Sequence, residues 1–156
     1  MINKIYLHWT AGQYNQIFNS YHYCITGNGE VHKMGEPEEI KSHTWLRNTD
    51  AIGIALCCGY GAGIMLKEDG SYSVSWGFCP PTFTQVTVMG ILIADLCEKY
   101  KIPITKDNIL THAEVALLDG YSIYDNDPDM RWDLITLPWI NGESGGEYIR
   151  KLAMSN

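Results

Sequence analysis

Residues Asp50–Cys58 read DAIGIALCC, a nearly continuous apolar run closed by Gly59. A strand with one solvated face alternates. A run that is apolar at almost every position reads instead as a central strand covered on both faces, as in α/β folds. A second strand is predicted at Lys4–Trp9 (KIYLHW), with Tyr6 and His8 on one face and Ile5 and Leu7 on the other. Thr10-Ala11-Gly12 breaks it at once, so His8 sits near the strand end, rigid behind and open in front. Tyr21–Thr26 and Glu30–Met34 flank Gly27-Asn28-Gly29. Asn-Gly between two strand-like runs predicts a hairpin, because both residues tolerate positive φ. Alternation would put Tyr21 and Tyr23 on one face and His22 and Cys24 on the other.

Between these strands the chain punctuates itself. Gln13–Ser20 reads as a short helix or an irregular loop. Glu36–Asn48 reads as a polar surface loop that carries an unusual cluster, Ser42-His43-Thr44-Trp45. Gly59–Gly63 is expected to be a flexible loop, and Glu68–Phe78 an exposed excursion turning at Asp69-Gly70. Thr82-Phe83-Thr84-Gln85 has the form of a capping box. Val86, Met89, Ile93, Leu96 and Tyr100 follow at helical spacing, which predicts a long helix over Phe83–Lys99. Ser144 opens a short final helix over Glu147–Ala153, with Ile149 and Leu152 inward. The expected architecture is α/β: a single domain over residues 1–156, with a central mixed β-sheet flanked by helices.

Composition narrows the function. A chain of 156 residues buries a core without staples. Its formal net charge of −7 argues against a basic nucleic-acid footprint and against a polybasic membrane contact. The five cysteines are odd in number and show no C-x-x-C spacing, so they read as buried reduced thiols. No apolar run approaches the roughly 20 residues that span a bilayer. MINKIYLHW lacks the cationic start and long apolar run of a signal peptide, so the expectation is a monomeric soluble chain made without a leader.

The chemistry gathers late, in Thr111–Leu134: THAEVALLDGYSIYDNDPDMRWDL. His112 ends an apolar segment, and an aspartate-rich loop follows. Two distant histidines, His8 and His112, with a carboxylate suit a zinc site that keeps its fourth position for water.

Four pieces in order, LHWTAG, YHYCITGNGEV, SHT…NTDAIGIAL and LTHAEV…RWDLITLPW, resemble the type-2 zinc N-acetylmuramoyl-L-alanine amidases. Those enzymes share a fold with the peptidoglycan-recognition proteins and include phage lysins. The likeness runs from about Lys4 to Trp139, and it is nearest to phage and prophage members. It implies Zn2+ held by His8, His112 and a downstream aspartate, and a peptidoglycan substrate cleaved between N-acetylmuramic acid and L-alanine. Asp133, in Arg131-Trp132-Asp133-Leu134, matches the spacing in which a basic residue precedes the ligand by two. Asp127, in Asp127-Pro128, is the competitor, but its corresponding basic position would be the acidic Asp125. Asp133 is therefore preferred, and Asp125, Asp127 and Asp129 otherwise read as a solvated loop.

The same resemblance implies catalytic roles for Tyr21 and Arg131. Arg131 would act as an electrostatic clamp, because arginine does not release its proton. It also implies substrate contact at His43. Some relatives carry a glutamate base in an I-G-I-E-L strand where this chain has Ala55. Proton transfer would then fall to Tyr21, Glu114 or water, with Glu114 read rather as a support for His112 or the backbone. A lysin of this kind would act on the cell wall in the periplasm after release, with a holin as one route. The alternative is a recognition module that binds muropeptide without cleaving it.

Overall fold

The computed structural model describes residues 1–121 and 131–156. The 50–58 run forms β4 (Ala51–Leu56), buried at every position, in the middle of a five-stranded sheet. On one side it pairs in parallel with β1 (Lys4–Trp9), and β1 pairs in parallel with β7 (Ile109–Thr111). On the other side lies β2 (Tyr23–Ile25), parallel to β4, followed by the antiparallel edge strand β3 (Val31–Lys33). The sheet order is β3-β2-β4-β1-β7, mixed as expected. His8 stands opposite Ala55 in this register.

The two faces differ. Ile5, Leu7, Trp9, Ile52, Ile54 and Leu56 enter the main core with Val86, Met89 and Ile93 of α1 (Phe83–Tyr100). Each fully buried aliphatic side chain of this kind contributes on the order of 1.5–3 kcal/mol. The helix starts where the capping box predicts. Thr82 Oγ1 accepts from Gln85 N–H and Gln85 Oε1 accepts from Thr82 N–H, both at 3.0 Å. The wholly buried Gln85 also donates from Nε2 to the carbonyls of Ile25 and Cys57, at 3.0 and 2.9 Å. One side chain thus closes the helix start and pins it to the ends of β2 and β4. The last helix, α3 (Gly145–Met154), capped by Ser144, packs on α1.

Several details depart from the sequence reading. Gln13–Ser20 is irregular. Gly63–Leu66, expected at its start to be loop, is β5, paired antiparallel with β6 (Tyr72–Ser75) in a separate two-stranded sheet. The apolar segment before His112 is β7, and His112 itself opens a short helix, α2 (His112–Leu118). Tyr21 and Tyr23 do not share a face, because β2 begins only at Tyr23. Tyr23 packs in the main core, whereas the Tyr21 ring lies 5.3 Å from that of His8. All five cysteines are free and buried. Asp125, Asp127 and Asp129 lie outside the described residues. Among the described residues no helix is long and apolar enough to cross a membrane.

Candidate metal centre

His8 is held by β1, hydrogen-bonded on both sides by parallel neighbours, and its side chain is 1% exposed. It points to the face opposite α1. His112 is the first residue of α2, where a second capping box fixes the chain. Glu114 N–H donates to Thr111 Oγ1 (3.2 Å), and Thr111 N–H donates to Glu114 Oε1 (3.0 Å). Arg150 of α3 grips the same glutamate with Nη1 to Oε1 at 2.8 Å and Nη2 to Oε2 at 2.9 Å, and donates to Ile109 O at 2.9 Å. Glu114 therefore supports the backbone, as the sequence reading had it, and both its oxygens are engaged by Arg150.

Asp133 comes from irregular chain. Residues 131–134 turn, with Ile135 N–H bonded to Trp132 O and Leu134 at φ 63, in the left-handed region. The Trp132 ring packs edge-on to Trp9, with centroids 4.9 Å apart, and Trp9 N–H donates to Asp133 Oδ2 at 3.1 Å. The carboxylate is thereby tied to the end of β1, one residue beyond His8.

These three side chains converge. His8 Nδ1 lies 3.1 Å from His112 Nδ1 and 3.5 Å from Asp133 Oδ2, and His112 Nδ1 lies 3.1 Å from Asp133 Oδ1. One donor atom from each fits within 4.8 Å of the others. A tetrahedral centre with bonds of about 2.0–2.2 Å puts its donors about 3.3–3.6 Å apart. Two imidazoles and one carboxylate at this spacing fit a divalent transition metal. His112 and Asp133 border a cavity of about 230 Å3 that also takes in Tyr21, His43 and Trp132, with His8 buried behind them.

The electrostatics agree with that use. Burial, reinforced by His112, lowers the pKa of His8 to about 4 despite its bond to Asp133, so its imidazole is neutral at neutral pH as a ligand must be. Burial alone would raise the Asp133 carboxyl, but His112 and His8 outweigh it and hold the group well below the ordinary carboxylate range. Burial, and then the charge of Asp133, pushes the Tyr21 hydroxyl above its usual value, so it stays protonated. Tyr21 Oη also reaches Trp9 O at 3.4 Å.

A residue that the sequence reading did not single out joins two of these histidines. Thr44 Oγ1 lies 3.2 Å from His8 Nε2 and 2.8 Å from His43 Nδ1, and it is buried. A hydroxyl has one proton, so it accepts from one ring and donates to the other. With the His8 Nδ1 lone pair turned to the centre, Nε2–H of His8 donates to Thr44, and Thr44 donates to His43 Nδ1. His43 then carries its proton on Nε2, an atom with no hydrogen-bond partner among the described residues. Its ring packs closely against Gly53, where a Cβ would come within 2.5 Å of it. Burial, with His8 next, pushes the His43 pKa far down, so it stays neutral. Arg47 secures this loop to the end of α2 through a paired contact with Asp119, Nε to Oδ2 at 2.8 Å. The only sequence signal for Thr44 was its place in the odd Ser42–Trp45 cluster.

Arg131 is placed differently. Its guanidinium stacks 3.8 Å over the ring of Tyr121, and it is not among the residues lining the cavity.

The sequence profile of the N-acetylmuramoyl-L-alanine amidase family matches residues 1–129. The chain belongs to that amidase family. Its fold is also that of solved structures. AmpDh3 from Pseudomonas aeruginosa superposes with a TM-score of 0.52 at 18% identity over 84% of this chain and 57% of that one. The N-acetylmuramyl-L-alanine amidase AmiD from E. coli, solved with anhydro-N-acetylmuramic acid-L-Ala-D-gamma-Glu-L-Lys, gives 0.51 at 21% identity over 72% of this chain. The match spans 48%, about half, of the AmiD chain. Drosophila peptidoglycan recognition protein SD gives 0.50 at 15% identity, over 81% of this chain and 84% of that one. No curated protein sequence matches the chain. Family and fold agree: this is an amidase-family chain with a His-His-Asp cluster able to hold a metal ion.

Proposed function

We propose that the chain is a zinc-dependent peptidoglycan amidase that hydrolyses the amide between N-acetylmuramic acid and L-alanine, with His8, His112 and Asp133 as the metal ligands. The observation that carries this reading is the donor cluster, with three ligand atoms within 4.8 Å of one another beside a cavity, in a chain of the amidase family. Zinc bound there would acidify its water and polarise the scissile carbonyl.

The chain's own residues supply the rest. His8 is oriented through Thr44, and Asp133 through Trp9 N–H. Tyr21, protonated at working pH, offers a hydroxyl donor at the cavity wall to the oxygen on which negative charge develops. Arg131, stacked on Tyr121 outside the cavity lining, would act only through the field of its fixed positive charge, without exchanging a proton. His43, which also lines the cavity, would meet substrate there. Ala55 offers no carboxylate and Glu114 is taken up by Arg150, so proton transfer falls to Tyr21 and water. The biological setting proposed with this activity is a phage or prophage lysin that reaches the periplasmic wall after release.

The test is incubation of the zinc-loaded protein with purified peptidoglycan. Free stem peptides bearing a new L-alanine amine are expected, and glycan that keeps all its peptides would sink the proposal. Ala55, which stands where some relatives have a base, favours one other reading: a module that binds muropeptide without cleaving it. If the wild-type chain shows no turnover and His112→Ala leaves cell-wall binding unchanged, that reading takes over.

A further inference from the structure

A second concavity, of about 920 Å3, lies on the far side of the loop that walls the metal cavity. Ala11 and Gly59 border the cavity, while Gln13 and Tyr60, close by along the same two strands of chain, border the groove. Gly12 and Gly59 form a parallel bridge, and Tyr60 N–H donates to Gly12 O at 3.2 Å.

The groove presents two exposed aromatic rings, Tyr60 (44% exposed) and Phe78 (81%), with centroids 5.8 Å apart. Phe78 is not held by burial. Its N–H donates to Tyr60 O at 2.9 Å, and Gly77 before it adopts φ +68 at a place where a Cβ would come within 2.4 Å of the same carbonyl oxygen, so glycine is required there. The chain thus holds a large apolar ring at the surface beside a second ring, a flat platform on which a ligand can pack. Gln13, Asn15 and Asn28, with neutral amide side chains, line the same groove, and Glu30 is the one charged residue along it among the described residues.

We propose that this groove is a saccharide subsite, taking N-acetylated sugar units of the glycan strand that adjoin the muramoyl residue being cleaved. The proposal rests on the amidase reading of the metal cavity. A pyranose ring has a flat C–H face for an aromatic platform, and its hydroxyl and N-acetyl groups match amide side chains and an acceptor carboxylate. A stem peptide fits less well. Its carboxylates would meet Glu30, with no lysine or arginine lining the groove to pair them. The subsite would select polymer over monomer, because only a polymer spans both sides of the wall.

The first test needs no hydrolysis. A β-1,4-linked N-acetylglucosamine oligomer is titrated into the 15N-labelled zinc-loaded protein, and the side-chain amides of Gln13, Asn15 and Asn28 are followed. Shifts at these amides, lost in Tyr60→Ala/Phe78→Ala, are expected. Shifts confined to the metal cavity, absence of binding, or equal shifts on adding the peptide L-Ala-D-γ-Glu-L-Lys would overturn the subsite. The second test compares KM for glycan strands with KM for a single muramoyl-peptide. The ratio is expected to change about tenfold against the polymer in the double variant, the loss of one good contact, with the kcat ratio unchanged. An unchanged KM ratio would overturn it. Oligomer binding without any hydrolysis would retire the amidase reading and keep the groove as a sugar site. Hydrolysis without oligomer binding would do the reverse.

Discussion

The histidines and the aspartate of the metal centre are held in different ways. His8 and His112 ride on regular structure: a strand paired on both sides and the capped first residue of a helix. Asp133 rides on a turn, and its position depends on one hydrogen bond from Trp9 and on the contact of two indoles. Ligands on regular elements are preorganised by the sheet, whereas the third is placed by tertiary contacts alone. Regular structure thus fixes two of the three donor groups, and the third depends on the packing of the turn that carries it.

The most severe break is removal of the turn-borne ligand. Asp133→Ala is expected to abolish stoichiometric zinc after metal loading, read by elemental analysis, while Asp127→Ala keeps it. Zinc retained in the Asp133 variant would reverse the assignment. Next comes the brace behind His112. Arg150→Ala strips Glu114 of a buried partner and should lower stability by about 3–5 kcal/mol, measured by chemical denaturation. A loss under 1 kcal/mol would show that the capping box holds α2 unaided.

Acid should weaken the metal-free protein through the strand-borne ligand. The folded pKa of His8 is depressed, so the unfolded chain takes up its proton first as pH falls below 6.5. The contribution of neutral His8 is complete above that pH and is lost progressively towards pH 4, amounting to about 3 kcal/mol. Asp133, also depressed, adds a loss at still lower pH, below the ordinary carboxylate range. Denaturation midpoints that stay flat between pH 7 and 4 would contradict the buried neutral state. The smallest effect expected is at Thr44. Thr44→Val removes the acceptor for His8 Nε2–H and should weaken zinc binding about 10- to 100-fold, with Thr44→Ser close to wild type. Equal affinity in the valine variant would mean that β1 orients His8 without help.

Much of this was legible in the chain. The 50–58 run announced a doubly covered strand, Asn28-Gly29 a hairpin, and Thr82/Gln85 the start of the long helix, because each signal is local and strong. The β5 strand escaped notice because its apolar residues lean on a partner some eight residues away rather than on a periodic pattern. The helix at His112 escaped because seven residues carry too little periodicity. Within the site, His8 and His112 followed from motif and resemblance, and Asp133 from a two-residue spacing. The hydroxyl between His8 and His43 had no comparable signal, since threonine is common in loops and its two partners lie one and 36 positions away.

By itself, then, the sequence determined the central strand, the first strand, the hairpin, the capped starts of the long and final helices and which residue types were available to bind metal, all of them choices made over a few neighbouring residues. Tertiary structure alone decided that a turn beyond residue 130 lies against the end of β1. It alone decided that Thr44 bridges two imidazoles, that Arg150 occupies Glu114, and that Arg131 rests on Tyr121. Those contacts join positions up to 124 residues apart, and only the assembled sheet brings them within hydrogen-bonding distance.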